Sequence, residues 1–410
     1  MEEWKTYRIG DICKTNTSQY STKEAWDEFL YLDTGNITRN TIDEIARYSS
    51  TAELPSRARR KVISDDIIFS TVRPNQCHFG ILSNPPANLL VSTGFTVITA
   101  NKEIVDPYYL YYYLTQDSIV DYLHSIGEQA VSAYPSIKAQ DIEDLEIELP
   151  DLSTQNNIAK TLRALDEKIQ LNRQINDNLE QQAEALYKSW FIDFEPFCEE
   201  EFIESSLGSI PTGWKVGQLS DVCEIVGGGT PSKNRPEYYC ERGIAWLTPK
   251  DLSVSKSKFS SRGSEDITPE GYKNSSTKLM PRGTVLFSSR APIGYISIAT
   301  NEICTNQGFK SAVPGIAGTG YLYYFLKANT DKIESKASGS TFKEASGALM
   351  KSLEIIIPAD GILNQFEAEL APILNKQENI ASEIQALTTL RDTLLPKLMS
   401  GELKINEIDC

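Results

Sequence analysis

The hexapeptide LEIELP at residues 145–150 returns as LEIIIP at residues 353–358, 208 positions later. The echo decides the fold only if its surroundings repeat with it, and they do. Trp4-Lys5, followed by Ile9, Asp11, Ile12 and Cys13, reappears as Trp214-Lys215, Leu219, Asp221, Val222 and Cys223. DDIIFSTVRP (65–74) is matched by GTVLFSSRAP (283–292), TGF (93–95) by QGF (307–309), and YLYYYL (109–114) by YLYYFL (321–326). The offset drifts between 208 and 218, as insertions in loops produce. The chain therefore reads as two tandem copies of a unit of about 200 residues, each large enough for its own core. A period this long is not that of a solenoid.

Beyond the hexapeptide the offset holds at 208. Ile158, Leu162, Leu165, Ile169, Asn172, Asn176, Leu179, Ala183, Leu186 and Trp190 are spaced alternately by four and three. Their counterparts are Phe366, Leu370, Ile373, Gln377, Ile380, Ile384, Leu387, Arg391, Leu394 and Leu398. This is the a/d seam of a coiled-coil helix, present in both copies. Two matched seams in one chain are expected to pack on each other; the alternative is that each helix packs on its own globular part. Asn172, Asn176, Gln377 and Arg391 interrupt the apolar pattern, and such residues can set register. Pro372 is expected to kink the second helix or to mark its start.

The rest of each copy alternates short β-like runs (DDIIFSTV, GFTVITA; GTVLFSS, GYISIAT) with Gly/Pro/Ser/Asn turns. DPYYLYYYLTQDSIVDYL and GTGYLYYFLKANTDKI read as helices whose aromatic residues belong to the core and not to base-stacking platforms. DIEDLEIELPDLSTQ reads as a last strand, a turn and a helix start capped by Asp151 or Ser153. Residues 193–212 carry Pro196 and Pro211 and no sustained period, and read as an extended acidic connector.

The 410 residues have ordinary hydrophobic and charged fractions for a soluble protein, 40% and 23%. No run of 18 apolar residues suggests a membrane span, and the first residues lack a secretory pattern. Seven cysteines, odd in number and without a C-x-x-C pair, fit free thiols in a reducing cytoplasm. Of the two histidines, His78 is adjacent to Cys77 and not spaced for chelation, so no metal site is expected. The net charge of −16 opposes nucleic-acid binding in total, but its distribution does not. Residues 47–73 hold six basic and three acidic side chains, and residues 228–290 eleven basic and six acidic. Residues 193–204 hold six acids and no base.

Catalytic patterns are incomplete. NPPA (84–87) lacks the aromatic residue that an adenine methyltransferase places after Asn-Pro-Pro, and no glycine-rich cofactor loop precedes it, so a Pro-Pro turn is the reading. GGGTP (227–231) is not followed by G-K-[ST], no G-x-S-x-G occurs, and Asp65-Asp66 lacks a downstream nuclease E-x-K. A repeated chain without chemistry suggests a binding scaffold.

Five stretches, taken together, resemble a known family: LGSIPTGWKVGQLSDVCEIVGGGTPSKNRPEYY (207–239), GIAWLTPKDL (243–252), TNQGFKSAVP (305–314), LYKSWFIDFEPF (186–197) and RDTLLPKLMSGEL (391–403). The chain resembles the specificity subunit of type I restriction–modification systems over nearly its whole length, more loosely in the first globular copy. The resemblance implies an α+β protein. Two tandem mixed α/β target-recognition domains, with pseudo-two-fold symmetry, are separated by two long helices packed as an antiparallel coiled coil. The boundaries are then recognition domain 1 at 1–150, spacer helix 1 at 151–192, connector at 193–212, recognition domain 2 at 213–360, spacer helix 2 at 361–403 and a tail at 404–410. It further implies a non-catalytic, cytoplasmic subunit that binds a bipartite double-stranded DNA target. Two methyltransferase subunits carry S-adenosylmethionine and modify adenine. Two motor–nuclease subunits, using ATP and Mg, can join to cut unmodified DNA. This chain itself would bind no cofactor or metal.

A split target also follows from length. Residues 158–190 form a helix roughly 50 Å long at about 1.5 Å per residue. At about 3.4 Å per base step, antiparallel spacers set the half-sites roughly 10–15 base pairs apart. For DNA contact, the first copy offers Arg57, Arg59, Arg60 and Lys61 to phosphates, and Arg73, Asn75 and Gln76 to bases. The second offers Lys233, Arg235, Lys250, Arg290 and Lys310. A solvated loop at SRARRK, a structural ion pair at Arg290 and a tight turn at TNQGF are the competing readings. The rival function is a protein-binding coiled-coil scaffold without DNA recognition. Steep loss of DNA affinity with salt separates the two.

Overall fold

The computed structural model describes residues 4–24, 26–129, 135–339 and 343–405. It divides into unit 1, residues 1–170 with 386–410, and unit 2, residues 171–385. Of the expected tail, residues 406–410 lie outside the described residues.

The hexapeptide echo is the same strand in each unit. In unit 1, Glu146–Leu149 runs antiparallel to Lys5–Arg8, with Lys5 opposite Leu149. In unit 2, Glu354–Ile357 runs antiparallel to Lys215–Gln218, with Lys215 opposite Ile357. The alternation puts Ile147 and Leu149, and Ile355 and Ile357, inward. Even the bond that follows is repeated: Ile9 N–H donates to Leu145 O at 2.9 Å, and Leu219 N–H to Leu353 O at 2.8 Å.

In unit 1 an antiparallel sheet is ordered Cys13–Thr15, Phe95–Ala100, Asp66–Ser70, Phe79–Leu82. Unit 2 repeats it as Cys223–Gly227, Lys310–Pro314, Val285–Ser289, Ile293–Ala299, with Phe259–Ser260 added in parallel at the edge. Each unit also contains one parallel pair that the sequence did not announce: Phe29–Leu32 beside Leu89–Ser92, and Trp246–Leu247 beside Cys304–Thr305. The aromatic helices Pro107–Leu114 and Thr319–Ala328 lie against these sheets. Tyr109 and Tyr321 are almost fully buried, as are Leu110 and Leu322, so these rings are core.

The long helices are Leu152–Phe191 and Ile362–Met399, of 40 and 38 residues. Asp151 caps the first, its Oδ1 accepting from the Ser153 and Thr154 amides at 2.9 and 3.1 Å. Every predicted seam position is buried or half-buried. Within unit 1, Ile158 and Leu162 pack with Leu394 and Leu398, so the start of one helix meets the end of the other. Within unit 2, Trp190 meets Phe366 with ring centroids 5.7 Å apart, which is again antiparallel. Two expectations need correction. The second helix does not start near Pro372; it starts ten residues earlier at Ile362 and runs through it. Pro372 is exposed, so the Ala368 carbonyl it leaves without an N–H partner faces water. The connector is not simply extended. It contains a 3-10 turn, Glu195–Phe197, and an antiparallel hairpin, Phe202–Ser205 with Gly208–Pro211.

That connector is held by rings. Phe191 lies 4.6 Å from Tyr321 and 4.8 Å from Phe366, and Phe197 lies 4.9 Å from Trp214, centroid to centroid. The stretch LYKSWFIDFEPF is thus an aromatic seat for unit 2. Unit 1 uses aliphatic residues at the corresponding place, Leu398, Met399, Leu403 and Ile405.

Both seams carry a polar knot. In unit 1, Arg391 bonds Asp166 at 2.8 Å and Asp166 accepts from Tyr112 Oη at 2.7 Å. In unit 2, Lys258 Nζ reaches Glu180 Oε2 at 2.5 Å, Tyr324 Oη at 2.7 Å and Gln377 Oε1 at 2.8 Å. Glu180 also accepts from Lys327 at 2.6 Å. Burial alone would raise the Glu180 carboxyl. The Lys258 charge, with hydrogen bonds from Lys258, Lys327 and Gln377, outweighs it and holds the group at about 2.

Phe191→Ala should therefore destabilise unit 2 by about 3–5 kcal/mol, read as a lower urea midpoint. Because the folded Glu180 lies below its ordinary value of 4.5, its contribution is complete above that pH and is lost as pH falls toward about 2. It is worth on the order of 3 kcal/mol. The stability gap between the wild type and Glu180→Gln should be largest near neutrality and shrink below pH 4.5, measured by urea titration at stepped pH.

Candidate nucleic-acid interface

In unit 2 three loops that are far apart in sequence converge on the parallel strand pair. Trp246 and Leu247 lie opposite Cys304 and Thr305. The glycine run 227–229 packs across them: Gly229 N–H donates to Thr305 O at 2.8 Å, and Trp246 Nε1 donates to Gly229 O at 3.1 Å. A Cβ on Gly228 would stand 2.0 Å from Asn306 O, so only glycine permits this crossing. TNQGF then turns sharply, with Asn306 Oδ1 accepting the Gly308 amide at 2.8 Å and Thr230 Oγ1 bonded to Gln307 Oε1.

Thr248 follows the first strand and caps the helix Pro249–Ser255. Asp251 closes that cap through Thr248 N–H and Oγ1 at 2.8 and 2.7 Å, and takes Ser264 N–H at 3.0 Å. Burial opposes ionisation of Asp251, yet these donors hold its carboxyl below the usual value. The result is a cleft of about 300 Å³ lined by Lys233, Lys250, Trp246, Thr230, Asn306 and Gln307 among others. Side-chain amides, hydroxyls and lysines around an indole suit recognition of base edges and phosphates.

The expected residues are distributed unevenly around it. Lys233 lies in the cleft, 2.8 Å from Glu265 and 3.7 Å above the Tyr239 ring centre. Lys250 is exposed at the rim, with no ion pair among the described residues. Arg235 is exposed and pairs with Glu237 at 3.2 Å. Arg290 and Lys310 do not join the cleft; both turn to Glu344, at 3.6 and 3.1 Å. For Arg290 that is the structural ion pair weighed from the sequence.

Unit 1 builds the same crossing with different chemistry. Tyr31 occupies the register position of Trp246, and Leu90 that of Cys304. Asp33 stands after the strand, accepting from Thr34 N–H at 2.9 Å and from Tyr31 Oη at 3.0 Å. Burial would raise the Asp33 carboxyl, but these bonds, Ser92 and the Arg57 charge keep it low. Arg57 is exposed and belongs to this crossing.

SRARRK is neither a continuous cationic patch nor a loop. Ala58–Lys61 is a strand, so its side chains alternate. Arg59 is exposed and donates to Ser56 O at 3.3 Å. Arg60 is half-buried and bonds Asn16 Oδ1, while Lys61 pairs with Glu24 at 2.6 Å. Arg73 adopts φ +47° immediately before the 3-10 turn Pro74–Gln76, where Asn75 and Gln76 are exposed. The matching turn in unit 2 has Ala291 at φ +54° before Pro292. Non-glycine residues in this region are costly, so finding one at the same turn twice marks a shape both units need.

Sequence reasoning missed Trp246, Thr230, Asn306 and Gln307 in the unit 2 cleft, and Tyr31 and Asp33 at the unit 1 crossing. The available signal was the TGF/QGF echo, which marks the turn but not the strand crossing beneath it. Gly228→Ala should force the loops apart, lowering thermal stability and abolishing DNA binding by the assembled complex. Lys250→Ala should leave the melting temperature unchanged; calorimetry distinguishes the two.

Comparison with known proteins shows the family. The family model described as "Type I restriction modification DNA specificity domain" matches residues 1–181 and 211–396. The HindI specificity subunit of Haemophilus influenzae is 28% identical, over 98% of this chain and all of its own length. The MjaIX specificity subunit of Methanocaldococcus jannaschii is 42% identical over 39% of this chain and 38% of its own. The crystal structure of the type I restriction–modification S subunit from M. genitalium shares the fold, with TM-score 0.61, 13% identity, and coverage of 97% of this chain and 96% of that one. With one specificity domain matched in each repeat, the chain belongs to the family of type I restriction–modification specificity subunits.

Proposed function

We propose that each unit reads one half of a bipartite double-stranded DNA target and that the two long helices fix the gap between the halves. The observation that carries this reading is the repeated strand crossing. Each unit builds the same parallel strand crossing from different side chains, as two readers of different half-sites require, and in unit 2 the crossing floors a cleft. In unit 2, Asn306 and Gln307 present amides to base edges, while Lys250 and Lys233 face phosphates. In unit 1, Arg57, Arg59, Asn75 and Gln76 are the exposed candidates. Arg60, Lys61, Arg290 and Lys310 each have a partner inside their own unit, and in this reading their role is structural.

The chain carries the address and others carry the chemistry. Two methyltransferase subunits with S-adenosylmethionine modify one adenine in each half-site. Motor–nuclease subunits using ATP and Mg²⁺ cut unmodified DNA where the system includes them.

The test is a methylation map. The chain is expressed with its methyltransferase partner in a host free of adenine methylation, and N6-methyladenine is located by sequencing. A two-part motif with a fixed gap, modified once per strand, is expected. Gln307→Ala should relax one half only, by about 1–3 kcal/mol at the affected base pair. Lys250→Ala should weaken binding to all sequences and reduce the salt slope by about 1. Absence of a motif, with the partner active beside another specificity chain, would return the protein to the scaffold reading.

A further inference from the structure

The knot around Lys258 joins the second cleft to the helices. Lys258 stands three residues beyond the helix Pro249–Ser255, which carries Lys250 at the cleft rim. Lys256 turns the chain between them at φ +47°. The Lys258 side chain is 13% exposed. Its ammonium meets a carboxylate from the first long helix (Glu180), an amide from the second (Gln377) and a phenol from the aromatic helix (Tyr324). The Tyr323 and Tyr324 rings flank it at 4.7 and 4.8 Å. Gln377 closes the set by donating to Glu180 Oε2 at 3.1 Å.

This is an expensive arrangement for stability alone. Gln377 occupies a seam position that holds Ile169 in the other repeat, and Ile169 is buried there without any polar partner. An apolar residue would serve the seam better, and a buried ion pair is a poor stabiliser against hydrophobic replacements. What it supplies is direction, because a lysine between fixed acceptors admits one placement of the loop that carries it. The unit 1 knot differs: Asp166 and Arg391 both belong to the long helices, and the globular part contributes the Tyr112 hydroxyl.

We infer that Lys258 is a positioning residue for the gap: with Glu180 and Gln377 it locks the second reading cleft to the helix pair, so that the complex accepts one spacing between half-sites. The inference rests on the bipartite reading above.

The experiment uses the assembled methyltransferase complex and a plasmid library in which the two half-sites are held constant and the gap varies by single base pairs. Lys258→Met keeps an unbranched side chain one atom shorter and removes its charge. It should raise methylation at gaps one base pair too long or too short by about ten-fold relative to the correct gap. The same two half-sites should still be read. Lys258→Arg should restore selectivity. Gln377→Ile copies the seam of the other repeat and leaves the Lys258–Glu180 pair in place, and it should loosen the gap in the same direction. It decides the question should Lys258→Met fail to fold. Unchanged gap selectivity in folded Lys258→Met or in Gln377→Ile overturns the inference, as does a change in the bases read. Failure of the bipartite reading itself appears separately, as the absence of any two-part motif with the wild-type chain.

Discussion

The apolar seam of the long helices is the constraint on which the other features depend. A helix of 40 residues with a narrow apolar stripe has no stable existence alone in water, and most of its stability must come from packing. In each unit the stripe is covered by the antiparallel stretch of the other helix and by the aromatic helix of the globular part. Ile158, Leu162, Leu398 and Tyr109 share one core in unit 1. Tyr187, Phe366, Leu370 and Tyr321 share one in unit 2. The globular parts are therefore not appendages on a finished rod. In each unit the core that holds the aromatic helix is continuous with the seam, while the strand crossing packs in smaller clusters of its own.

Continuity of apolar packing leaves orientation underdetermined, since hydrophobic contact is not directional. The polar knots supply direction at the places where the seam tolerates a hydrogen-bonding group. Their chemistry is unequal. One is an Arg–Asp pair on the helices, and the other is a lysine from the globular part held by both helices. The two copies thus share topology but have diverged in how each is held, as they have in the side chains at each strand crossing.

Architecture was legible in the sequence because it is written in periodicities. Every position the heptads named is buried or half-buried, and the hexapeptide echo named the strand that closes each unit. Where the reading failed, the cause was local. Pro372 lies on the solvent side, where a missing amide is cheap, and a linear pattern does not reveal that. The hairpin at 202–211 has strands too short to show a period. SRARRK was read as a patch because charge was counted along the chain, whereas a strand sends alternate side chains to opposite faces. The cleft was the least legible part. The lining in unit 2 comes from four segments, three of them brought together by a parallel pair of only a few residues. Nothing in the linear order of GGGTP, AWLTP and TNQGF states that they touch.

The strand pair made by the opening echo has a topological consequence. Lys5–Arg8 and Glu146–Leu149 are the first and last strands of one globular part, and Lys215–Gln218 and Glu354–Ile357 those of the other. The chain enters and leaves each at neighbouring backbone positions, tied by the same hydrogen bonds. Each globular part is thus a closed insert whose two ends meet at a standard junction. An insert of this kind can diverge freely inside, or be exchanged whole for another with the same ends, while the helices and their register remain as they were.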